Sequence, residues 1–568
     1  MLKKIDKYCQ TLKYLKKSQL LYLAKNRLER GQKADTKKEA PACKPQPLWM
    51  PDLDGASLYL KRFDTEEILE GRVKLLYEEG IPGGRDWHVA ERSHLWNFNL
   101  HYMEFLIPLA AAYKEENDIR YYECFKEYCL RWILDNENGR GDGWHPYTIS
   151  LRLTNLWICI SALGETFLKD QPFCKMLNGS MYAQYLHLQK RLERHLLGNH
   201  YFENLKTVLL GALYFQEERT YRKYKRLFTN EVREQILPDG MHYERSLMYH
   251  KIILEDIMRV AKSVYEKDGE LYQKLCVTMQ KMTDAVWSLE QGMGRTLLFN
   301  DAGDNVARPL DCLLKSLKKE FGICPGVDAK KVFPDAGYYC LEEEGIKIVM
   351  DAGKIAPDYM PGHSHCDGLS FELSWHGRPV FVNSGTGQYQ GRLRSYFRST
   401  AAHNTIVVDG EEQSDCWGEH RTGRRIKDVS GGCKDHWIYG KLTTCTGKRI
   451  SRAIGLKGNM VCMKDRAKGQ VKAYFHLAPE YVYSLQDQKI VVKERADQGR
   501  TVCELYAPDT DRVTLYEEGD ICSYAPEFGR VEEIQVLSLA WKQTEEEHKV
   551  RIKFMSERTY HIRSDTDD

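Results

Sequence analysis

"GYYCLEEEGIKIVMDAG", residues 337–353, is where the chain changes character. Its aromatic and β-branched runs, short and bounded by glycine, suit strands. The same texture continues in "RPVFVNSG" (378–385), "NTIVVDG" (404–410), "DHWIYGKLTT" (435–444) and "KAYFHLAP" (472–479), the pattern of a large antiparallel β-sandwich. Upstream the pattern is helical. "LHYMEFLIPLAAAYKEE" (100–116), "YYECFKEYCLRWILDN" (121–136), "SLRLTNLWICISALGETFL" (150–168) and "KIILEDIMRVAKSVYEK" (251–267) space apolar residues three and four apart. Helices first and strands afterwards predict a multidomain α + β protein with segregated parts. Consecutive helical hairpins imply either a solenoid or a closed α/α toroid, and a cleft between the parts is the natural ligand site.

At 568 residues the chain exceeds one hydrophobic core. The expected division is an N-terminal basic helix and polar linker over 1–50, a helical domain over 51–330 and a β domain over 331–568. The first of these packs on the body or on a partner subunit. With 83 basic and 81 acidic residues, the net charge of +2 gives no whole-molecule attraction to nucleic acid or anionic membrane. No apolar run approaches the ~20 residues of a membrane span. The N-terminus lacks an uninterrupted apolar core, and seventeen scattered cysteines contain no CxxC. Both features lead to the expectation of a cytoplasmic protein. The sequence leaves oligomeric state open.

The chemistry-bearing residues gather in a few stretches. In "MPGHSHCDGLSFEL" (360–373), read as the start of a strand, His363, His365 and Asp367 share one face with Leu369, Phe371 and Leu373. His403 and Asn383 are the distant partners with which these histidines could form a metal site, although an amide is a poorer zinc ligand than a carboxylate. In "GNHYFENLK" (198–206), Asn199 and Asn204 flank His200, whose neighbour one turn on is Glu203, a candidate to orient it. In "DGMHYERSLMYHK" (239–251), Tyr249 stands near Arg245 and His250, cations that would lower a tyrosine pKa. Asn97, His101, Tyr102, His145 and Arg152 offer aromatic, amide and guanidinium contacts for an acidic sugar. Arg392, Arg394 and Arg398, at alternate positions with Tyr396, would line one strand face as a basic focus.

In this order, "GNHYFEN", "DGMHYERSLMYHK", "GHSHCDGLSFEL", "VFVNSGTGQY" (380–389) and "STAAHNTIVVDG" (399–410) make residues 60 to 560 resemble the heparinase II/III-like polysaccharide lyases, relatives of the alginate lyases. The resemblance implies an incomplete α/α toroid followed by an antiparallel β-sandwich. It also implies β-elimination on a uronic-acid-containing anionic glycan, leaving an unsaturated uronate. By match to the family's motifs, Asn199 and His200 neutralise the substrate carboxylate. Tyr249 protonates the leaving oxygen, His363 is an acid/base on the opposite side, and Glu203 orients His200. Arg245, Tyr389, Arg392 and Arg394 join the substrate-binding set. His365, His403 and Asn383 match the ligands of one structural divalent metal, zinc by its histidines, with Asn383 where the family typically has aspartate. No organic cofactor is implied.

Two other functions fit the same architecture. A toroid also hosts glycoside hydrolysis by paired carboxylates, for which Glu203, Glu244, Asp301 and Asp304 are available. A non-catalytic glycan-binding or polysaccharide-assembly protein is the third.

Overall fold

The computed structural model describes residues 2–555 except 29–32, 37, 46–47, 49–61, 81–86, 487–488, 497–498 and 545–546. The polar linker expected before residue 50 lies partly outside the described residues, and the division at residue 50 lies wholly outside them. The N-terminal segment is two helices, α1 (Leu2–Leu12) and α2 (Lys17–Leu28). After α3 (Thr65–Leu69) comes a hairpin, β1 (Val73–Leu75) and β2 (Glu78–Gly80). A train of helices follows: α4 (His94–Tyr102), α5 (Leu106–Glu116), α6 (Ile119–Asp135), α7 (Pro146–Leu163), α8 (Glu165–Lys169) and α9 (Gln171–Lys190). It continues through α10 (Gly198–Tyr214), α11 (Glu218–Gln235), α12 (Leu247–Val264), α13 (Gly269–Glu290) and α14 (Leu310–Phe321).

Local chemistry sets these helices. At α7, His145 caps the first turn by accepting from Tyr147 N, and Pro146 takes the first position, where a missing N–H costs nothing. α10 is buried on nearly every side and packs against α7, α11 and α12, so it forms the centre of the incomplete α/α toroid. Its N-terminus, which carries Asn199 and His200, faces the β part.

The β part opens with a five-stranded antiparallel sheet in sequential order: β3 (Val332–Phe333), β4 (Tyr338–Glu343), β5 (Ile346–Asp351), β6 (Phe371–Trp375) and β7 (Arg378–Phe381). The opening quotation of the sequence analysis is the β4–β5 hairpin, closed by Glu344 and Gly345, both at positive φ. A short helix α15 (Arg392–Phe397), strand β8 (Ile406–Val408) and a small hairpin of β9 (Cys416–Trp417) and β10 (Arg421–Thr422) follow. Beyond them, strands between Lys427 and Phe554 form an eight-stranded sheet, and a four-stranded sheet incorporates β8. Gly431 and Gly440 of the larger sheet lie against Tyr339 and Leu369, where any Cβ would collide, so the sheets stack as a sandwich at close range.

Helical and β parts have separate apolar cores, joined by a third cluster. In it Met241, Leu247, Leu289 and Phe299 meet Phe333, Tyr338 and Val349. The first turn of α12 goes further, with Met248 and Tyr249 belonging to the β core itself. Two local expectations are corrected. Residues 361–370 form an irregular loop and not a strand, with Leu369 at φ 60, so period-two alternation does not place His363 and His365. Arg392, Arg394 and Arg398 sit on and just after a helix, not on a strand face.

Candidate active site

Tyr249 enters the site from the first turn of α12, where Ser246 caps the helix. Its hydroxyl lies 2.7 Å from the Tyr389 hydroxyl and 3.1 Å from His363 Nε2. The Tyr249 and His363 rings stack at 4.1 Å with 9° between planes. His363 Nδ1 faces the buried Glu244 carboxylate, which can only accept, so Nδ1 carries the proton and Nε2 offers a lone pair to Tyr249. Burial pushes the Glu244 carboxyl up, but His363 outweighs it and holds the group below its ordinary value. Burial drives the Tyr249 phenol well above the ordinary tyrosine range, with the Tyr389 and Asp301 charges adding to it. The cationic lowering expected from the sequence does not occur. Arg245 turns its guanidinium to Ala336 O and Asp335 O, and His250 bonds backbone at His242 and Met282.

The second oxygen of Glu244 accepts from Asn199 N at 3.1 Å, which brings the start of α10 beside this pair. The approach depends on Gly198. It has φ +59, and a Cβ there would meet Glu244 Oε1 and Met360 Cε at 2.9 Å. Asn199 Nδ2 lies 3.4 Å from the Tyr147 hydroxyl, and the Tyr147 ring packs on His200 at 4.3 Å. His200 Nδ1 bonds Glu193 at 3.0 Å, which leaves Nε2 for a ligand. Glu203, the orienting carboxylate expected from sequence, is instead buried in a Lys206–Asp256 network, with Lys206 Nζ at 2.5 and 2.6 Å from the two acids. Spacing of three on a helix put Glu203 near His200 in principle, but the ring turns back to Glu193 in the loop before α10. No local motif reveals Glu193, because loop closure creates the contact.

Burial opposes charge on His200, yet Glu193 overrides it and raises the imidazole above 6.5, while Glu193 is itself pulled down to about 2. A raised histidine contributes stability below its unfolded pKa and loses it as pH rises through the folded value. Charged His200 is also the form that binds a carboxylate. Glu193→Gln is therefore expected to shift the alkaline limb of kcat/KM toward acid pH; a pH–rate profile measures it, and an unmoved limb would contradict the assignment.

Behind the site, Asp301 is clamped by Arg394, whose Nη2 lies 2.9 Å from Oδ2, and accepts from Thr386 at 3.2 Å. Its Oδ1 lies 2.8 Å from His365 Nε2, and its backbone N donates to His363 O. Burial opposes ionisation of Asp301, but Arg394 and His365 hold its carboxyl well below the usual range. His365 Nδ1 and His403 Nε2 face each other at 3.2 Å, and His403 Nδ1 donates to Ser399 O.

Most of the expected substrate-binding residues are engaged by partners within the protein. Asn97 ties down Val89, and buried His101 pairs with Trp132 Nε1. Arg152 is buried on the Trp132 ring at 3.9 Å and bonded to Gln184, His101 O and Gly143 O. Arg394 is divided between Asp301 and the Glu419 carbonyl, Arg398 bonds Ser364 O, and Arg392 pairs with Asp520 on the surface. Tyr389, His145 and Tyr102 do reach the site. His145 lies 3.8 Å from Glu193, and Tyr102 packs on Tyr147 at 6.0 Å. Asn383 accepts from Asn404 N and approaches Ser370 Oγ; among the described residues neither histidine is its hydrogen-bond partner.

The family models for the heparinase II/III N-terminus and the heparinase II/III-like C-terminal region match residues 58–322 and 326–553. The chain belongs to the heparinase II/III-like family. A heparin-sulfate lyase of Pedobacter heparinus is 22% identical over 362 residues, covering 57% of this chain and 53% of that one. A heparin-sulfate lyase of Bacteroides thetaiotaomicron is 22% identical over 403 residues, covering 61% and 57%. This family member thus spans little more than half the length of the curated relatives it matches. Its fold resembles the crystal structure of heparinase III, with TM-score 0.67 and 18% identity over 94% of this chain and 89% of that one.

One feature departs from what the resemblance implied for this heparinase-like chain. His363 does not stand across the cleft from Tyr249 but stacks on it as one hydrogen-bonded unit. For the metal, Asp301, His363 and His420 bring ligand atoms within 4.8 Å of one another. Asp301 is already held there by a guanidinium, however, and His363 Nδ1 by Glu244. The His365–His403 pair has different proton arithmetic. Each outer nitrogen faces an acceptor, carboxylate or carbonyl, and so carries the hydrogen. The two inner nitrogens then oppose lone pair to lone pair in a fully buried place, which demands a bridging proton or cation. Burial lowers both imidazole pKa values, which disfavours the proton. Two ligands at ~2.0–2.1 Å from a tetrahedral zinc stand roughly 3.3–3.4 Å apart, close to the separation found. The pair thus offers a metal two nitrogen donors, and among the described residues no third histidine, cysteine or carboxylate ligand groups with them.

Proposed function

We propose that the protein is a polysaccharide lyase that cleaves a uronate-containing glycosaminoglycan of the heparan sulfate type by β-elimination. The observation that carries this is Glu244, one carboxylate that holds the Asn199–His200 pair and the Tyr249–His363 pair side by side. Elimination needs both: donors that neutralise the substrate carboxylate, so that its α-hydrogen becomes acidic, and a base and acid within reach of that hydrogen. The amide of Asn199 and protonated His200 supply the first.

The raised pKa of Tyr249 argues against a standing phenolate. In the proposed cycle the Tyr249 oxygen takes the α-hydrogen as its own proton passes to His363 Nε2, where Glu244 balances the charge. Electrons of the broken C–H bond form the double bond, and the glycosidic C–O bond breaks. Tyr249 then protonates the leaving oxygen and recovers its proton from His363. Hydrolysis is disfavoured because Glu203, Glu244, Asp301 and Asp304 are each engaged by cations, by histidine or by backbone N–H, with no free carboxyl pair among them. The names of the relatives support the substrate class.

A panel of uronate oligosaccharides, followed by ultraviolet absorbance of the unsaturated product and by reducing ends, tests this reading. Both rising together is expected; reducing ends alone would indicate a hydrolase, and binding with neither a recognition protein.

The metal belongs to the same proposal. His365 and His403 would hold one divalent ion, zinc by their chemistry, bracing the loop that aims His363 and leaving the acid–base chemistry to Tyr249. Elemental analysis is expected to find one equivalent, and chelation to lower the melting temperature; a metal-free protein of unchanged stability would reject it.

A further inference from the structure

α1 and α2 precede residue 58, where the family match begins, yet they are fastened to both halves of the molecule. On the β side, α1 holds the β9–β10 hairpin. Asp6 pairs with Arg424, Thr11 accepts from Trp417 Nε1 at 3.2 Å, and the Tyr8 ring meets Trp417 at 4.6 Å. Just past α1, the Arg425 guanidinium lies 3.8 Å over Tyr14. The tip of that hairpin carries His420, whose ring lies 5.4 Å from Tyr389 and 6.2 Å from His363. On the helical side, α2 holds the loop that presents Glu193. Tyr22 accepts from Arg194, and Asn26 contacts His195 at 2.9 Å.

Gln19 of α2 joins the two sides. It is 2% exposed, and its amide donates both to His195 O and to Tyr359 O. Tyr359 belongs to the loop that reaches from the β part to the toroid, where Met360 packs on Gly198 and Tyr359 bonds Glu234 at 2.7 Å. Exposed ion pairs such as Asp6–Arg424 contribute only ~0–1 kcal/mol each. The buried amide, two close cation–π contacts and the aromatic pair make the fastening cooperative.

We infer that this helical pair is a strap that closes the cleft beside Asn199 and His420, so that substrate enters by a chain end. The inference rests on the lyase reading above. A second bridge supports it on the Tyr389 side. There the β1–β2 hairpin reaches across to the β part, with Tyr77 bonded to Glu527 and Leu76 O against Gly529, while Phe528 packs on Tyr389 at 4.8 Å. A long chain lying across the reaction centre would have to pass both bridges. Among the described residues the approach left is past His94, Phe98 and His145, where the His94 and His145 side chains are 55% and 39% exposed. A chain end, or a short oligosaccharide, fits that approach; the middle of a polymer does not.

The test digests heparan sulfate polymer and a tetrasaccharide made from it, following absorbance and polymer size together. The full chain is expected to release small unsaturated product from the outset while mean polymer length stays near its starting value. Two variants loosen the strap without touching the catalytic set: deletion of residues 1–28, and the milder Asp6→Ala/Gln19→Ala. Each should keep activity on the tetrasaccharide but shorten the polymer early, and the milder variant carries the test if the deletion fails to fold. Random shortening by the full chain, or an unchanged chain-end pattern in the variants, would overturn the inference. Absence of absorbance from every substrate would instead remove the lyase reading, and the inference with it.

Discussion

Replacing Tyr249 by phenylalanine is expected to lower kcat by about 10²–10⁴, the span that a positioned acid–base group supplies. The change removes one oxygen and little else. The ring keeps its stack on His363 at 4.1 Å and its place among Met248 and the β-core side chains. Only the contacts to Tyr389 at 2.7 Å and His363 at 3.1 Å are lost, a cost of about 1 kcal/mol or so in stability. Carboxylate binding at Asn199 and His200 stays intact, so KM should move little. Full absorbance activity in a folded Tyr249→Phe protein would contradict the relay.

Glu244→Gln should cost a comparable amount, on the order of 10³–10⁴ in kcat, as when an amide replaces the carboxylate behind a catalytic histidine. Two donors, Asn199 N–H and His363 Nδ1–H, converge on this carboxylate. An amide has one accepting oxygen, so one contact becomes donor against donor, or His363 switches tautomer and points a hydrogen at Tyr249. The tautomer switch removes the lone pair that receives the Tyr249 proton, and the donor clash leaves that lone pair but removes the carboxylate charge that balances protonated His363. The pH dependence has a definite sign. Because the Glu244 pKa is depressed from 4.5, its stabilisation is present above that value and is lost as pH falls through the folded one. The gap in melting temperature between wild type and Glu244→Gln should therefore be widest near neutrality and narrow in acid. A gap that widens in acid would count against the carboxylate's assigned state.

The order of helices and strands was legible because local periodicity carries it. The motifs also led to Asn199, His200, Tyr249 and His363, which the fold brings around one carboxylate. What could not be read is the tertiary partnership of charged groups. The helical spacing that suggested Glu203 for His200 is satisfied in sequence, but Lys206 and Asp256 claim Glu203 in the core, and a loop supplies Glu193. Alternation failed in "MPGHSHCDGLSF", where Pro361, Gly362 and Gly368 signalled a loop and the strand begins only at Phe371. The two histidines still turn to different partners, for a different reason. His363 turns to Glu244 and Tyr249, and His365 to Asp301 and His403, because their partners lie on opposite sides of that loop. The arginines mislead in a related way: basic residues close together read as an anion site, while Arg394 spends its guanidinium on Asp301 inside the protein.

Elimination and hydrolysis differ by one water molecule, so mass spectrometry of a single cleavage tests the central claim most directly. A defined heparan sulfate tetrasaccharide is cut once, and both fragments are weighed. The account predicts that the two fragment masses sum to that of the parent, one fragment carrying the unsaturated uronate. A sum heavier by one water would contradict it.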